Sequence, residues 1–122
     1  MGYESKLYIV QKHDEFTKPW YEVLATIDLA KMGYDIFIGR AFRNLFTIPQ
    51  DGDMYGDDGN TNITEDCYGD PVEGALIDDV IDWLKEFTAN NDYRRANVCL
   101  DLLLSFRRQP WDAPLLCFHY GY

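Results

Sequence analysis

The chain has 122 residues, a length typical of a single domain spanning residues 1–122, and 47% of its residues are hydrophobic and 16% aromatic. This much apolar surface excludes an intrinsically disordered chain and is sufficient for a hydrophobic core without covalent cross-links. Eleven basic residues against 21 acidic residues give a formal net charge of −10. A chain this acidic is not expected to bind nucleic acid directly, because its carboxylates would repel phosphates.

The cysteines and the first residues predict a cytoplasmic protein. Cys67, Cys99 and Cys117 are odd in number, widely spaced and without a C-x-x-C pair, which favours a reducing compartment over a disulfide framework. The segment from Met1 to Lys6 lacks the basic and apolar regions of a signal peptide. No apolar run approaches the roughly 18 residues that a membrane span needs, so we expect no membrane partner.

Two strands are predicted near the start of the chain. The segment from Ser5 to Lys12 is rich in β-branched and aromatic residues, which favours a strand. From Tyr21 to Ala30, polar and apolar residues alternate, which also favours a strand, although Leu24 interrupts the alternation and a helical stripe fits part of the segment. On this pattern, one face of the second strand would carry Tyr21, Val23, Ala25, Ile27 and Leu29.

The middle of the chain gives weaker signals. Residues 35–48 fit either two short strands around Gly39 or a short helix from Gly39 to Asn44. Between residues 51 and 70 the sequence Asp58-Gly59 is a strong hairpin signal. The short strands of that hairpin would be Met54–Tyr55 and Asn62–Thr64.

Two consecutive helices are predicted next. Asp70-Pro71 is a plausible helix start, and the helix itself extends from Ala75 to Ala89 with apolar residues at helical spacing. The opposite side of this helix carries Asp78, Asp79, Asp82 and Glu86. The second helix is predicted from about Asp92 to Arg107, with Tyr93, Ala96, Cys99, Leu100, Leu103 and Phe106 on its apolar face.

The last element and the order of all elements predict the fold class. The segment from Leu115 to Tyr120 is almost continuously apolar, which is typical of a strand at the centre of a sheet. Strands, then two helices, then a strand predict an α+β fold, in which an antiparallel-rich sheet has both helices packed on one face and the C-terminal strand central.

The negative charge is concentrated in one segment. Residues 51–86 contain twelve acidic residues and one basic residue, Lys85, so they carry −11, whereas the rest of the chain carries +1. The segment fits a solvated face, a docking surface for a basic partner such as a nucleic-acid-binding protein, or a divalent cation site. As partner-binding residues the sequence predicts Asp51, Asp53, Asp57, Asp58, Glu65, Asp66, Asp78, Asp79, Asp82 and Glu86.

Tests against known chemical motifs favour a protein without a catalytic site, metal or cofactor. An EF-hand loop starting at Asp51 would have Tyr55 and Asn62 at positions where calcium needs stronger oxygen ligands. Cys117 and His119 would share one face of a strand as a nucleophile and base, but no third group to orient them is identifiable. Phosphate-binding, zinc-protease and serine-hydrolase motifs do not occur.

Three segments of the sequence carry a family resemblance: Gly2 to Val10, Thr64 to Pro71 and His119 to Tyr122. They are similar to a group of small, uncharacterised acidic proteins encoded by phages and prophages of Gram-positive bacteria. The resemblance covers both ends and the centre of the chain and implies an early or accessory phage protein acting in the cytoplasm of the host cell. It carries no catalytic residues. By analogy, small acidic phage proteins often bind host machinery, including CRISPR nucleases and other defence systems.

Together these observations lead to one main hypothesis and two alternatives. The main hypothesis is a non-enzymatic phage-derived protein, anti-CRISPR-like, whose acidic residues occupy a basic surface of a host nucleic-acid-handling or defence protein. The first alternative is a structural or accessory phage protein that self-associates, as a homodimer for example, through aromatic residues such as Trp20, Tyr21 and Trp111. The second alternative is a small enzyme or cation-binding module.

Overall fold

The computed structural model describes residues 4–14, 19–37, 39–55 and 62–121. Within these residues the first half of the chain contains four strands and two one-turn helices, and the second half contains two strands and both long helices. The elements in chain order are β1 (Ser5–His13), β2 (Trp20–Asp28), α1 (Tyr34–Phe37), α2 (Arg40–Arg43), β3 (Ile48–Pro49), β4 (Asp53–Met54), β5 (Glu73–Leu76), α3 (Ile77–Asn90), α4 (Arg94–Arg107) and β6 (Leu115–Gly121). No helix among them is long and apolar enough to cross a membrane.

All six strands form one sheet, in the order β3-β5-β6-β1-β2-β4. Every neighbouring pair is antiparallel except β2 and β4, which run parallel over two residue pairs. The predicted α+β class is therefore confirmed. The central position of β6 is also confirmed, because β6 pairs with β5 on one side and with β1 on the other.

The alternation of side chains along β1 and β6 gives the sheet two covered faces. Leu7 and Ile9 of β1 pack with Cys117 of β6 and with the buried side of α3 and α4. Both long helices therefore lie on one face, as predicted. The alternate residues of β1 and β6 point to the other face of the sheet. There Tyr8, Val10, Leu116 and Phe118 pack against Met54, Ile63 and Val72.

Leu24 interrupts the alternation of β2 because it is the extra residue of a β-bulge. Ile9 lies opposite Ala25 and Val10 lies opposite Val23, so the register between β1 and β2 shifts by one residue at Leu24. A bulge of this kind reverses which face the following side chains point to. The expectation of one shared apolar face is consequently wrong: Tyr21 and Val23 belong to one core, whereas Ala25 and Ile27 belong to the other.

For residues 35–48 the helical alternative is the correct one. The segment forms α1 and α2, and only its end, at Ile48, joins the sheet as β3. Phe37 and Phe42 are almost fully buried, with their ring centroids 5.1 Å apart. The two short helices thus place both rings in the core on the helical face of the sheet.

The predicted hairpin strands pair with each other. Tyr55 forms an antiparallel bridge with Asn62, and the backbone N–H of Ile63 donates to the carbonyl of Met54 over 2.6 Å. The predicted turn at Asp58-Gly59 lies outside the described residues. The parallel pairing of Met54 with Tyr21 was not predicted, because two residues carry no periodic signal.

The predicted start of the first long helix at Asp70-Pro71 is wrong. Residues Glu73–Leu76 form β5, and α3 begins only at Ile77. The segment is extended because it pairs with β6, from Glu73 opposite His119 to Leu76 opposite Leu116. A Cβ atom at Gly74 would lie 2.9 Å from the ring of Phe118, so glycine suits the close packing at this position. Tertiary packing here overrides a local helix-start signal.

Candidate acidic interface on α3

The helix α3 is amphipathic, and its outward side is acidic. Ile77, Val80, Ile81 and Leu84 are buried against the sheet, which fixes the orientation of the helix. The exposed side carries four carboxylates, which we call the α3 acidic stripe: Asp78, Asp79, Asp82 and Glu86. The predicted division of this helix into an apolar and an acidic side is confirmed.

The geometry of a helix places these four side chains close together. At about 100° per residue they fall within an arc of about 100°, and from Asp78 to Glu86 they extend about 12 Å along the axis. Asp78 forms an ion pair with Arg107 of α4, with 3.0 Å between Oδ1 and Nη1. Asp79, Asp82 and Glu86 make no ion pair with any residue that the structure describes.

Aromatic rings stack beside the acidic stripe. Trp83 and Phe87 lie one turn apart on α3 with their rings 5.3 Å apart and inclined by 9°. Phe87 stacks in turn on Tyr93, at 5.5 Å and 23°. These three residues form what we call the aromatic row. Trp83 and Phe87 are partly buried, and Tyr93 at the end of the row is 49% exposed.

The aromatic row is anchored in the core. Trp83 packs against Phe42 with 5.0 Å between ring centroids and against Phe37 at 6.4 Å. These contacts with α1 and α2 hold the exposed edge of the row in one position next to the carboxylates. The row was not predicted, although the aromatic pair at positions 83 and 87 has the spacing of residues that touch on a helix.

Carboxylates grouped on one exposed side of a helix are suited to bind guanidinium groups. A carboxylate accepts two parallel hydrogen bonds from an arginine, whereas the faces of Trp83 and Phe87 are largely occupied by stacking and leave mainly the exposed ring of Tyr93 for contact with a cation. Each exposed ion pair between a carboxylate and a guanidinium group is weak, but several carboxylates on one rigid helix act on a partner together. The site therefore fits an arginine-bearing protein surface.

The other predicted acidic residues lie elsewhere, and Asp51 already has partners within the chain. Tyr21 donates its hydroxyl hydrogen bond to Asp51, and Lys12 forms an ion pair with the second carboxylate oxygen at 3.3 Å. The bond from Tyr21 lowers the pKa of Asp51. Burial and the same bond raise the pKa of Tyr21 to about 12.

Two more of the predicted carboxylates shape the loops. Asp53 accepts a hydrogen bond from the side-chain amide of Asn62 at 2.8 Å, across the predicted hairpin. Asp66 accepts bonds from the backbone N–H groups of Tyr68 and Asp70, at 2.8 and 3.0 Å, and so closes a turn. Carboxylates in turns commonly have this role.

The predicted set is thus divided between separate parts of the molecule. Glu65 is exposed and its backbone bridges to Pro71. Asp57 and Asp58 lie outside the described residues. Asp53 lies in β4 at one edge of the sheet, whereas Asp66 lines a small cleft together with Glu73 of β5, four strand steps away. The α3 acidic stripe lies on the helical face and groups four of the predicted residues on a single helix.

The residues considered for catalysis do not form a reactive site. Cys117 and His119 do share the helical face of β6, as predicted. Burial, however, raises the pKa of the Cys117 thiol, which keeps it protonated at neutral pH, when a nucleophile must be a thiolate. The Nε2 atom of His119 lies 3.3 Å from the hydroxyl of Ser5, which is only 1% exposed and thus closed to a substrate.

Two further predictions concern ions and aromatic contacts. Among the described residues no three His, Cys, Asp or Glu side chains are grouped closely enough to hold a metal ion.

Of the aromatic residues proposed for self-association, Tyr21 is only 2% exposed and cannot form an interface without rearrangement. Trp20 stacks on His13, and Trp111 stacks on Phe106.

No protein-family model, curated protein or solved structure matches this chain.

Proposed function

We propose that this protein is a non-enzymatic, phage-derived binding protein that inhibits or modulates a host nucleic-acid-handling or defence protein by occupying its basic surface. An anti-CRISPR role is the most concrete form of this proposal. The observation that carries it is the α3 acidic stripe, in which Asp79, Asp82 and Glu86 are exposed and make no ion pair with any described residue. The phage origin is supported by the sequence resemblance alone.

The rigidity of α3 supports a binding role for its carboxylates. The helix has 14 residues and its buried side is part of the main core, so the backbone positions that carry the carboxylates are fixed relative to one another before a partner arrives. Two side-chain amides donate hydrogen bonds to backbone carbonyls near the C-terminal end of the helix. Asn90 donates to the carbonyl of Glu86 at 3.1 Å, and Asn91 donates to the carbonyl of Phe87 at 3.0 Å. A preorganised group loses less conformational entropy on binding than a mobile one.

The chemistry of the stripe supports a nucleic-acid-binding protein as the partner. Such proteins hold phosphates with arginine and lysine side chains, which are also the groups that pair with carboxylates. A net charge of −10 attracts this kind of surface over a distance and repels the nucleic acid that would otherwise fill it. Binding of the protein and of nucleic acid should consequently be mutually exclusive.

The experiment that tests the proposal compares two variants of equal charge. The stripe variant carries lysine in place of Asp79, Asp82 and Glu86. The control variant carries lysine in place of Asp14, Asp35 and Asp101, which are also exposed but lie elsewhere. Both variants change the formal net charge from −10 to −4, so a general effect of charge acts on both equally.

Each protein is immobilised, incubated with a nuclease-treated lysate of Gram-positive cells and washed at low and then high salt. We expect the wild-type and control proteins to retain a nucleic-acid-handling protein that high salt removes, and the stripe variant to retain none of it. The retained protein, once purified, should lose its nucleic acid when the wild-type protein is added. Equal loss of the partner by both variants would contradict a role for the stripe.

A further inference from the structure

A cleft of about 580 Å³ opens at the N-terminal end of α3. It lies where the end of β5, the start of α3 and the end of α4 meet the connector that leads into β6. Its walls are mainly apolar, formed by Leu76, Ile77, Trp111, Ala113 and Pro114. Its volume is within the range of about 300–1,000 Å³ that is usual for binding sites of small ligands and short peptide segments.

The aromatic wall of the cleft is held in a fixed position. The indole N–H of Trp111 donates to the backbone carbonyl of Phe106 at 2.6 Å, and the two rings stack at 6.3 Å and 17°. Proline residues at positions 110 and 114 on either side restrict the backbone of the connector. The cleft is therefore formed before any ligand enters.

The cleft and the α3 acidic stripe are continuous. Asp78 belongs to both, because it is the first carboxylate of the stripe and also lines the cleft. Leu76, at the opening, is 45% exposed, which is unusual for a leucine in a chain with a well-formed core. The rest of the polar rim is formed by Gln109, Asp112 and Arg107, the ion-pair partner of Asp78.

We infer that this cleft receives an apolar side chain, leucine or an aromatic residue, from the same arginine-rich partner surface that pairs with the α3 acidic stripe. The inference rests on the proposed function, and it adds the apolar anchor that determines which basic surface is bound. Apolar walls favour an apolar side chain, while Asp112 on the rim and the unpaired carboxylates of the stripe favour basic residues next to it; Arg107 on the rim is already paired with Asp78. Carboxylates alone would bind any basic protein, whereas an anchor in a fitted pocket gives selectivity.

The test uses two synthetic arginine-rich peptides of the same length and charge, one with a central leucine and the other with a central alanine. Each is titrated into the isotope-labelled full chain and followed in amide NMR spectra. The backbone amides of Asp79, Asp82 and Glu86 in α3 report on the stripe, and the indole N–H of Trp111 reports on the cleft. We expect both peptides to shift the α3 amides, and the leucine peptide alone to shift the indole signal and to bind about tenfold more tightly.

Two matched variants assign the preference to the cleft. Leu76→Ser makes the opening polar and should reduce the preference for leucine over alanine to about twofold or less. Leu102→Ser is the control, since Leu102 is 37% exposed on the outer side of α4 and does not line the cleft. This control should keep the tenfold preference. Both leucines are partly exposed, so both variants should fold, and their spectra show directly whether they do.

The outcomes separate the two proposals. If both peptides shift the α3 amides equally and neither shifts the Trp111 indole signal, the stripe binds basic segments and the anchor cleft is refuted. If the leucine preference survives Leu76→Ser unchanged, the anchor cleft is again refuted. If neither peptide shifts the α3 amides, the proposed function fails, and the inference about the cleft fails with it.

Discussion

Replacing Asp82 with lysine is expected to stabilise the protein while it weakens binding to basic partners. Asp82 lies at the centre of the α3 acidic stripe. Residues three and four positions away on a helix are neighbours, and for Asp82 these are Asp78, Asp79, Lys85 and Glu86. Asp82 therefore faces three like charges and one opposite charge, an arrangement that costs folding free energy.

The size of the effect follows from these neighbours. Each helix-surface charge pair contributes about 0.2–0.5 kcal/mol, and the lysine turns three repulsive pairs into attractive ones and one attractive pair into a repulsive one. The net change equals four pair energies, which would be about 1–2 kcal/mol. Because Arg107 already neutralises part of the charge of Asp78, we expect about 1 kcal/mol and a rise of about 4 °C in the melting temperature.

Asp101→Lys is the matched control. Asp101 is exposed near the middle of α4, and the residues three and four positions away from it are uncharged: Asn97, Val98, Leu104 and Ser105. Both substitutions change the net charge from −10 to −8 and exchange the same residue types in a helix interior. Helix propensity and total charge thus cancel in the comparison, and the interaction within the stripe remains.

Thermal unfolding followed by circular dichroism measures the difference between the two variants. At low ionic strength Asp82→Lys should melt at a higher temperature than Asp101→Lys. At about 1 M salt, where the Debye length is about 3 Å, the difference should largely disappear. Equal melting temperatures at low salt would refute the idea that the carboxylates interact as one group. A difference that persists at high salt would assign the effect to something other than charge.

Three further outcomes are expected. Arg107→Gln should strengthen the binding of an arginine-rich peptide several-fold in a fluorescence titration, because it leaves Asp78 free to pair, while stability changes by less than about 1 kcal/mol; unchanged affinity would contradict this. Tyr21→Phe should lower the free energy of unfolding by about 1 kcal/mol near neutral pH. The hydrogen bond from Tyr21 lowers the pKa of Asp51 from 3.8, so it stabilises the folded protein only while Asp51 is ionised. The decrease in unfolding free energy caused by Tyr21→Phe should therefore have its full size above pH 3.8 and become smaller below it, as measured by urea unfolding. A thiol reagent at neutral pH should modify Cys67 in the native protein and all three cysteines after unfolding, because the thiols of Cys99 and Cys117 are buried. Modification of Cys99 or Cys117 in the native protein as fast as that of Cys67 would contradict the core packing.

Much of the fold follows from periodic patterns, and the differences arise where distant residues decide. The strand β6 was predictable because its continuous apolar run is typical of a strand covered on both faces. The bulge at Leu24 depends on the pairing of β2 with β1, which a single strand's pattern does not show. Likewise, β5 is extended because it pairs with β6, where Gly74 lies opposite Phe118, 44 positions further along the chain.

The candidate site was predictable in its charge but not in its composition. The spacing of Asp78, Asp82 and Glu86 at successive helical turns shows directly in the sequence. Trp83 was missed because its neighbours in the fold, Phe37 and Phe42, belong to a segment whose structure the sequence left open. A partly buried aromatic residue next to a charged stripe needs the tertiary structure to be recognised.

Counting charges along the chain treats every carboxylate alike, whereas the structure distinguishes those that have partners from those that do not. Asp51 and Asp66 accept hydrogen bonds that hold β4 and a turn in place, so their charges are compensated within the chain. Asp79, Asp82 and Glu86 have no such partners among the described residues. If the acidic residues only kept the protein in solution, replacing any exposed one would have the same effect. If the stripe is a binding surface, the positions where lysine most improves stability are also those where it most reduces binding, because repulsion between unpaired carboxylates is relieved either by substitution or by a basic partner.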